Sequence, residues 1–451
     1  MYVHVPKNPP NVEEIAARIM AGDGKRAAEV MRYAKQVDEK GRYLHWDTLR
    51  FRKPPPGLTH EEWWWAVRWS RRFASPQLPL KAANNEPLTY CEPPMIREAL
   101  RYFDMHAGGH LGARSEAMSQ GEGRAHLTRS LAEEPFASSF IEGAATTRQI
   151  AKKLILEGRE PRTRDELMVL NNFRGLQFVK QNKDEPLTVD MICEIHRIIT
   201  QGTLEEDGDA GRVRTGDDIQ VVDDTTGEVL HQPPPAAELE RRLQGLVDFA
   251  NDGGGKDQWL HPLLRAILLH FMLAYEHPFV DGNGRVARAL FYWSALRSGY
   301  WLLEYVSISS VIAEAKIKYG QAFLEVETDA MDTTYFAVHQ IEVLRAALDR
   351  FSKYMERKSS EVRTLARALE ARRGPHAFNH RQAWLLNEFA RGRQVRMTIA
   401  EHEQKHGVSY LTARADLERL TERKLLRKTK RAQTSIYTPV PNLADKLTAG
   451  A

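Results

Sequence analysis

Cysteine is nearly absent from this chain: Cys91 and Cys193 are the only two among 451 residues, about a hundred residues apart and in no CxxC spacing. That excludes a disulfide framework and a cysteine-based structural zinc site, and it suits a reducing compartment. Long hydrophobic runs are missing as well. The most apolar stretch, Ala266 to Tyr275, is interrupted by His270 and falls well short of the roughly 20 residues needed to cross a bilayer. The start, MYVHVPKNPP, has neither the basic nor the apolar stretch of a secretory leader. The expectation is a cytoplasmic protein without a membrane partner. Repeats and low-complexity tracts are also lacking, which excludes solenoids and propellers. A strong net charge is missing too, since 64 Lys+Arg against 60 Asp+Glu leave +4. The charge is uneven along the chain, however. Residues 351–451 hold 21 basic against 10 acidic side chains, a net of +11, so the first 350 residues carry −7. A basic end on an acidic body hints at a nucleic-acid or membrane-surface partner for that end.

What is present is an ordinary globular composition, 42% hydrophobic and 27% charged, long enough for about three domains at roughly 150 residues each. Proline clusters at 54–56, 93–94 and 233–235 interrupt regular structure. Residues 1–125 read as an N-terminal helical region, with candidate helices over 22–40 and 60–73. The three consecutive tryptophans Trp63, Trp64 and Trp65 point in different directions around the second of these and predict domain packing. Glycine-rich segments at 108–114 and 118–124 mark a boundary. Helical patterns dominate 126–350, over 165–180, 187–200, 236–250 and 261–275. One segment departs from them: β-branched residues flank Thr226-Gly227 and predict a hairpin, Ile219 to Val222 with Glu228 to His231. A lone hairpin exposes edges on which an extended peptide could dock. The fold class expected is mainly α.

The sharpest local pattern is HPFVDGNGRVARAL, 277–290, placed between an apolar helix and a second helical pattern. Gly282 and Gly284 let the loop reach positive φ and bring its amides close to a ligand, and the following helix start adds further N–H donors, which together make an anion nest. Arg285 and Arg288 lie on one face of that helix's first turns, where two cations oppose the dipole unless an anion is near. Asp281 is the only carboxylate of the loop and suits Mg²⁺ beside phosphates. His277 supplies a proton acceptor near neutral pH. The pattern points to nucleotide phosphotransfer.

The run from His277 to Arg288 resembles, without departure, the Fic family motif HxFx(D/E)GNGRxxR. The resemblance extends over about 132–344. Ser138-Ser139-Phe140-Ile141-Glu142-Gly143 is similar to the family's inhibitory motif, on the N-terminal side of the core. Gly211-Arg212-Val213-Arg214 with the hairpin resembles the family's flap, and Asp332 to Phe336 the segment that closes the core. The resemblance implies a protein adenylyltransferase that moves AMP from ATP to a Ser, Thr or Tyr hydroxyl. His277 would be the general base, Asp281 the Mg²⁺ ligand, and Phe279 the buried anchor of the loop. Gly282, Asn283 and Gly284 would cradle phosphate oxygens, and Arg285 and Arg288 would bind the β- and γ-phosphates. The hairpin 219–231 would clamp the target segment, with Glu228, Val229, Leu230, His231 and Tyr319 bordering the nucleotide. Glu142, one turn beyond Ser138, would pair with Arg288 and hold ATP in an unreactive pose. DeAMPylation or another phosphotransfer on the same site is the alternative within enzymes. Labelling of the protein's own hydroxyls and a homodimer are further expectations.

The basic end carries a second pattern. Residues 351–375 read as a connecting helix. Three helical stretches between 379 and 425 then precede the basic run 423–431 and the strand-like TSIYTPV. Helix, turn, helix and basic β-wing over 376–440 resemble a winged helix-turn-helix. Tyr410, Thr412, Arg414, Arg427 and Lys428 would meet DNA. A DNA-binding regulator that uses the Fic core as a nucleotide sensor is the alternative outside enzymes.

Overall fold

A computed structural model of the chain describes residues 3–21, 24–108, 130–223, 225–251, 259–371, 377–390, 394, 396–431, 434–441 and 443–448. The expected boundary over 108–124 lies, apart from Gly108, outside the described residues. The described residues up to Gly108 form one compact unit with Leu131–Leu348, and those from Asp349 onward form a second.

The first unit opens with α1 (Val12–Met20), capped by Asn11, which accepts from the amides of Glu13 and Glu14. Helices α2 (Lys25–Met31) and α3 (Trp46–Leu49) lead to α4 (His60–Ala74), which starts in a Thr59/Glu62 capping box. The helix expected over 22–40 stops at Met31. The Tyr33 and Ala34 amides turn back to the carbonyls of Val30 and Met31, and Asp38 then gathers the Lys40 and Arg42 amides into a turn. Trp63, Trp64 and Trp65 are all buried, so the aromatic run packs a core. The helical reading of this region omits a strand pair: β1 (Gln77–Lys81) and β2 (Pro87–Thr89) are antiparallel, and β1 alternates exposed and buried residues. Helix α5 (Pro94–His106) follows.

This N-terminal region is built into the helical core. Buried Arg71 donates to the carbonyls of Gln36 and Leu44 and to the Tyr335 hydroxyl. The Tyr43 hydroxyl donates to Asp332, and Arg68 pairs with Asp329. Burial of these charges is tolerated because Arg68 is paired with a carboxylate and Arg71 is hydrogen-bonded to three neutral acceptors.

The core comprises α6 (Glu133–Ile141), α7 (Arg148–Glu157), α8 (Arg164–Gln181), α9 (Val189–Thr200), the pair β3 (Val221–Val222) and β4 (Val229–His231), α10 (Leu239–Asn251), α11 (Pro262–Glu276) and α12 (Asn283–Arg297). Short α13 (Ser309–Ile312), then α14 (Lys316–Thr328) and the part of α15 (Thr334–Ala371) up to Leu348, complete it. Helices α11 and α12 are buried on nearly every face, which is why α11 is apolar all round. The hairpin is shorter than expected, because only Val221↔His231 and Val222↔Val229 pair and the register shifts between them.

In the second unit α16 (His380–Ala390), β5 (Met397–Thr398), α17 (Ile399–His406), α18 (Tyr410–Glu422), β6 (Leu426–Arg431) and β7 (Thr434–Pro439) precede α19 (Leu443–Thr448). The sheet order is β5-β7-β6, antiparallel, over a core that includes Leu385, Leu386, Ala413, Leu417, Leu420 and Tyr437. Among the described residues no helix is long and apolar enough to cross a membrane.

Candidate active site

Helix α11 ends at His277, which adopts φ 46 and ψ 55 in the left-handed region. Its ring Nδ1 lies 3.2 Å from the Ala274 carbonyl. A carbonyl only accepts, so Nδ1 carries the proton and Nε2 keeps its lone pair. Burial pushes the His277 pKa down to about 4, helped by the nearby charges of His231 and Arg214 against the pull of the Ala274 carbonyl. The imidazole is a neutral base at physiological pH.

The loop after His277 is held from within. Phe279 is fully buried, and its amide donates to Asn283 Oδ1 at 2.9 Å while its carbonyl accepts from Asn283 Nδ2 at 2.8 Å. The Asn283 side chain is therefore committed to shaping the loop. Only its main-chain amide, the first of α12, is left for a phosphate oxygen. Gly282 stands before α12 at φ 84, and no side chain caps the helix start. The first amides of α12 are open to an anion.

Two arginines back this helix start. Arg288 donates through Nε to Ser138 Oγ at 2.9 Å and through Nη2 to the Ser138 carbonyl at 3.1 Å and to Glu142 Oε1 at 2.7 Å. Arg285 is 1% exposed with Nε unpartnered, and its closest acidic group is Asp281 at 3.5 Å. Burial pulls the Arg285 pKa down, since so little compensates its charge. Such a guanidinium, nine-tenths buried and short of acceptors, is a place for an anion.

Glu142 lies where such an anion would approach. A Cβ on Gly284 would collide with Glu142 Oε1, so glycine is needed there for the carboxylate to reach the helix start. Burial alone would raise the Glu142 pKa, but Arg288 and then Arg285 outweigh it and hold the carboxyl below its ordinary value. Asp281 accepts from the Gly282 amide through Oδ1 at 2.5 Å, and 49% of its side chain is exposed. Tyr319 stands with its hydroxyl 2.8 Å from His270 Nε2. Burial pushes its pKa up to about 12 against the nearby Arg288 charge.

The structure thus brings together His277, Asp281, Gly282, Gly284, Arg285, Arg288, Ser138, Glu142 and Tyr319. Of the hairpin residues, His231 lies close enough to act on His277, and the others lie further out on the hairpin. Glu228 and Val229 are exposed and Leu230 is half-buried. His231 is buried, with Nδ1 2.7 Å from Glu327 and Nε2 2.7 Å from the Tyr275 carbonyl. An acceptor thus faces each ring nitrogen. Glu327 holds its pKa above the ordinary value despite burial. His231 therefore roots β4 in the core.

Two further residues position the loop: His196, which carried no assigned role in the sequence, and Arg214, which was expected only as part of the flap. His196 stacks on Phe279 with ring centroids 3.8 Å apart and 2° between planes. It accepts from the Gly211 amide and donates to the Asp281 carbonyl, both at 2.9 Å. Arg214 donates to the carbonyls of His277 at 2.9 Å, Gly216 at 2.7 Å and Pro234 at 2.5 Å. The signal for His196 was available: it and Thr200 are the polar members of the buried stripe of α9.

In the second unit Tyr410 is 50% and Leu411 75% exposed at the start of α18. Arg414 and Arg427 are exposed, while Thr412 Oγ1 lies 3.0 Å from the capping Ser409 hydroxyl. Lys428 is paired with Glu418, which also accepts from Tyr437, so its charge is partly committed within the unit.

Residues 186–295 match the family model for the Fic/DOC family. The chain is 32% identical over 172 residues to protein adenylyltransferase Fic of Nematostella vectensis, covering 36% of this chain and 37% of that protein. It is 30% identical over 151 residues to protein adenylyltransferase fic-1 of Caenorhabditis elegans, covering 33% and 27% respectively. The chain therefore spans 37% and 27% of the length of these two curated relatives. A crystal structure of a Fic family protein from Desulfovibrio desulfuricans G20 overlaps 76% of this chain and 96% of its own, at TM-score 0.46 and 20% identity.

Proposed function

We propose that this protein, whose residues 186–295 match the Fic/DOC family, transfers AMP from ATP to a hydroxyl of a target protein and is restrained by Glu142. One observation carries the reading: a neutral histidine base stands at the edge of an uncapped helix start backed by two buried arginines. His277 Nε2 takes the proton of the target hydroxyl, and the hydroxyl oxygen attacks the α-phosphorus. The bond from that phosphorus to the bridging oxygen breaks, and pyrophosphate leaves with the electron pair. The α12 amides bind phosphate oxygens, while Arg285 and Arg288 neutralise charge that grows on the leaving group. Val222 and Val229, an exposed pair across the hairpin, give a target segment an apolar edge to lie against.

Among the described residues no group of three or more His, Cys, Asp or Glu side chains could hold a metal. One exposed carboxylate, Asp281, is what Mg²⁺ needs when phosphate oxygens and water supply its other ligands. Such an ion would add positive charge at the phosphates. In the restrained state Glu142 takes up Arg288, so the γ-phosphate loses that partner and the α-phosphorus is out of line. A displacement of about 1 Å costs on the order of a hundredfold in rate.

Incubation with α-labelled and with γ-labelled ATP tests the reading. Label entering protein from the α position only is expected. Label from γ only would indicate a kinase, and none from either, even with Glu142→Gly, would refute transfer.

A second reading concerns residues 376–440. The order helix, strand, helix, helix and hairpin, the exposed Tyr410, Leu411 and Arg414, and the net charge of the segment support a winged helix that binds DNA, with α18 in the major groove.

A further inference from the structure

Helix α6 delivers Ser138 and Glu142 to Arg288, so whatever fixes its last turn fixes the carboxylate. Two of its anchorages are buried. Glu134 accepts from the Ser309 amide at 3.0 Å and from the Ser307 hydroxyl at 2.7 Å, and Asn172 Nδ2 donates to the Pro135 carbonyl and Ser139 Oγ, each at 3.4 Å. The last turn is different. It contains no basic residue of its own, although its carbonyls form the negative end of the helix dipole; the Ser139 carbonyl accepts from the Ala144 amide at 3.0 Å and the Phe140 carbonyl from the Glu142 amide and, at 3.2 Å, the Gly143 amide. Lys316 supplies the charge from another helix. Its ammonium donates to the Ile141 carbonyl at 2.9 Å and the Phe140 carbonyl at 3.1 Å, and it lies 5.1 Å from the centroid of the Phe140 ring. Lys316 is the first residue of α14, where its charge opposes its own helix dipole. The carbonyl end of α6 accounts for a cation in that place.

We infer that Lys316 is the positioning residue of the restraint: by clamping the Phe140 and Ile141 carbonyls it holds Glu142, the next residue, against Arg288. This rests on the reading of Glu142 as an inhibitory group. Without the clamp the last turn of α6 frays, Glu142 leaves Arg288 for part of the time, and Arg288 is released to phosphate. The contact is partly exposed, unlike the Glu134 and Asn172 anchorages, so it is the end of α6 that can loosen while the helix stays docked.

The test compares initial rates of self-labelling from α-labelled ATP in wild type, Lys316→Met, Glu142→Gly and the double variant, with a thermal melt of each. Lys316→Met is expected to raise the rate about three- to tenfold over wild type, as the loss of a charge-assisted contact allows. In the Glu142→Gly background it is expected to change nothing. Lys316→Arg, which keeps a cation on the same carbonyls, is expected to stay at the wild-type rate. Phe140→Leu, at a position 44% exposed, removes the ring under the ammonium and is expected to raise the rate about twofold. If Glu142→Gly accelerates labelling but neither Lys316→Met nor Phe140→Leu does, the inference is overturned and the inhibitory reading stands. If Lys316→Met lowers the rate equally in both backgrounds, its role is structural and the inference is overturned. If Glu142→Gly itself matches wild type, the inhibitory reading falls and the inference with it.

Discussion

Glu142 Oε1 and Arg288 Nη2 meet at 2.7 Å across 146 residues of sequence. The pair is held from both sides, because Ser138, one turn before Glu142, accepts from Nε of the same guanidinium. Ser138→Ala removes one of these acceptors and leaves the carboxylate. Arg288 keeps Glu142 and the Ser138 carbonyl but its Nε loses its acceptor, and a melting curve should show a loss of about 1–2 kcal/mol. A change within about ±0.3 kcal/mol, of the kind seen at indifferent surface sites, would mean that Ser138 is not a partner in solution.

The committed side chain of Asn283 gives a second expectation. Asn283→Ala leaves the Phe279 amide and carbonyl buried without partners, at a cost of about 1–3 kcal/mol for each such group. Asn283→Asp keeps an acceptor for the amide but sets a carboxylate against the Phe279 carbonyl. Both variants should lose stability together with transfer. Loss of transfer at unchanged melting temperature in Asn283→Asp would return the residue to phosphate binding.

Acid should destabilise the fold through its buried histidines. His277 and His196 are both pushed down to about 4 by burial, below the ordinary value near 6.5. In the unfolded chain they take up protons as pH falls below about 6.5, while the folded protein resists until about pH 4, so stability is lost across that window as pH falls. The melting temperature should therefore decline between pH 7 and pH 4, and His196→Phe, which keeps the stack on Phe279, should flatten the decline. His277 itself stays deprotonated throughout that window, so transfer should show no loss attributable to its protonation between pH 8 and pH 6. An activity midpoint near 6.5 that His277 alone explains would contradict the burial argument.

For the basic unit, DNA binding should weaken as salt rises. Removing one phosphate contact lowers the slope of log K against log[salt] by about 1. Arg427→Ala should show that change. Lys428→Ala should show less, since its ammonium is paired with Glu418. A gel shift in low salt that is absent for the full chain would count against DNA binding.

The loop chemistry was legible because it is local. His277, Asp281, Gly282, Gly284, Arg285 and Arg288 lie within one helix–loop–helix, where spacing and helix geometry decide what faces what. The partnership of Ser138 and Glu142 with Arg288 was reached only through the family resemblance, because no local rule relates residues so far apart. Arg214 and Lys316 act through main-chain carbonyls, which every residue possesses, so a sequence does not announce them, whereas His196 was signalled as a polar residue on the buried stripe of α9. The bonds of His231 to the Glu327 carboxylate and Tyr275 carbonyl could not be read from the hairpin pattern, because a period of two assigns faces within a strand but not the depth of its end. The N-terminal region was expected to be separate on the strength of glycine spacing. The buried Arg71 and Tyr43 contacts with Tyr335 and Asp332 make it part of the core.

The central claim is AMP transfer by His277 under restraint by Glu142. Its most direct test is the initial rate of protein labelling from α-labelled ATP in wild type, Glu142→Gly and Glu142→Gly/His277→Ala. The account predicts a rise on the order of a hundredfold on removing Glu142 and its complete loss when His277 is also removed. Equal labelling by wild type and Glu142→Gly, or labelling that survives His277→Ala, would contradict it.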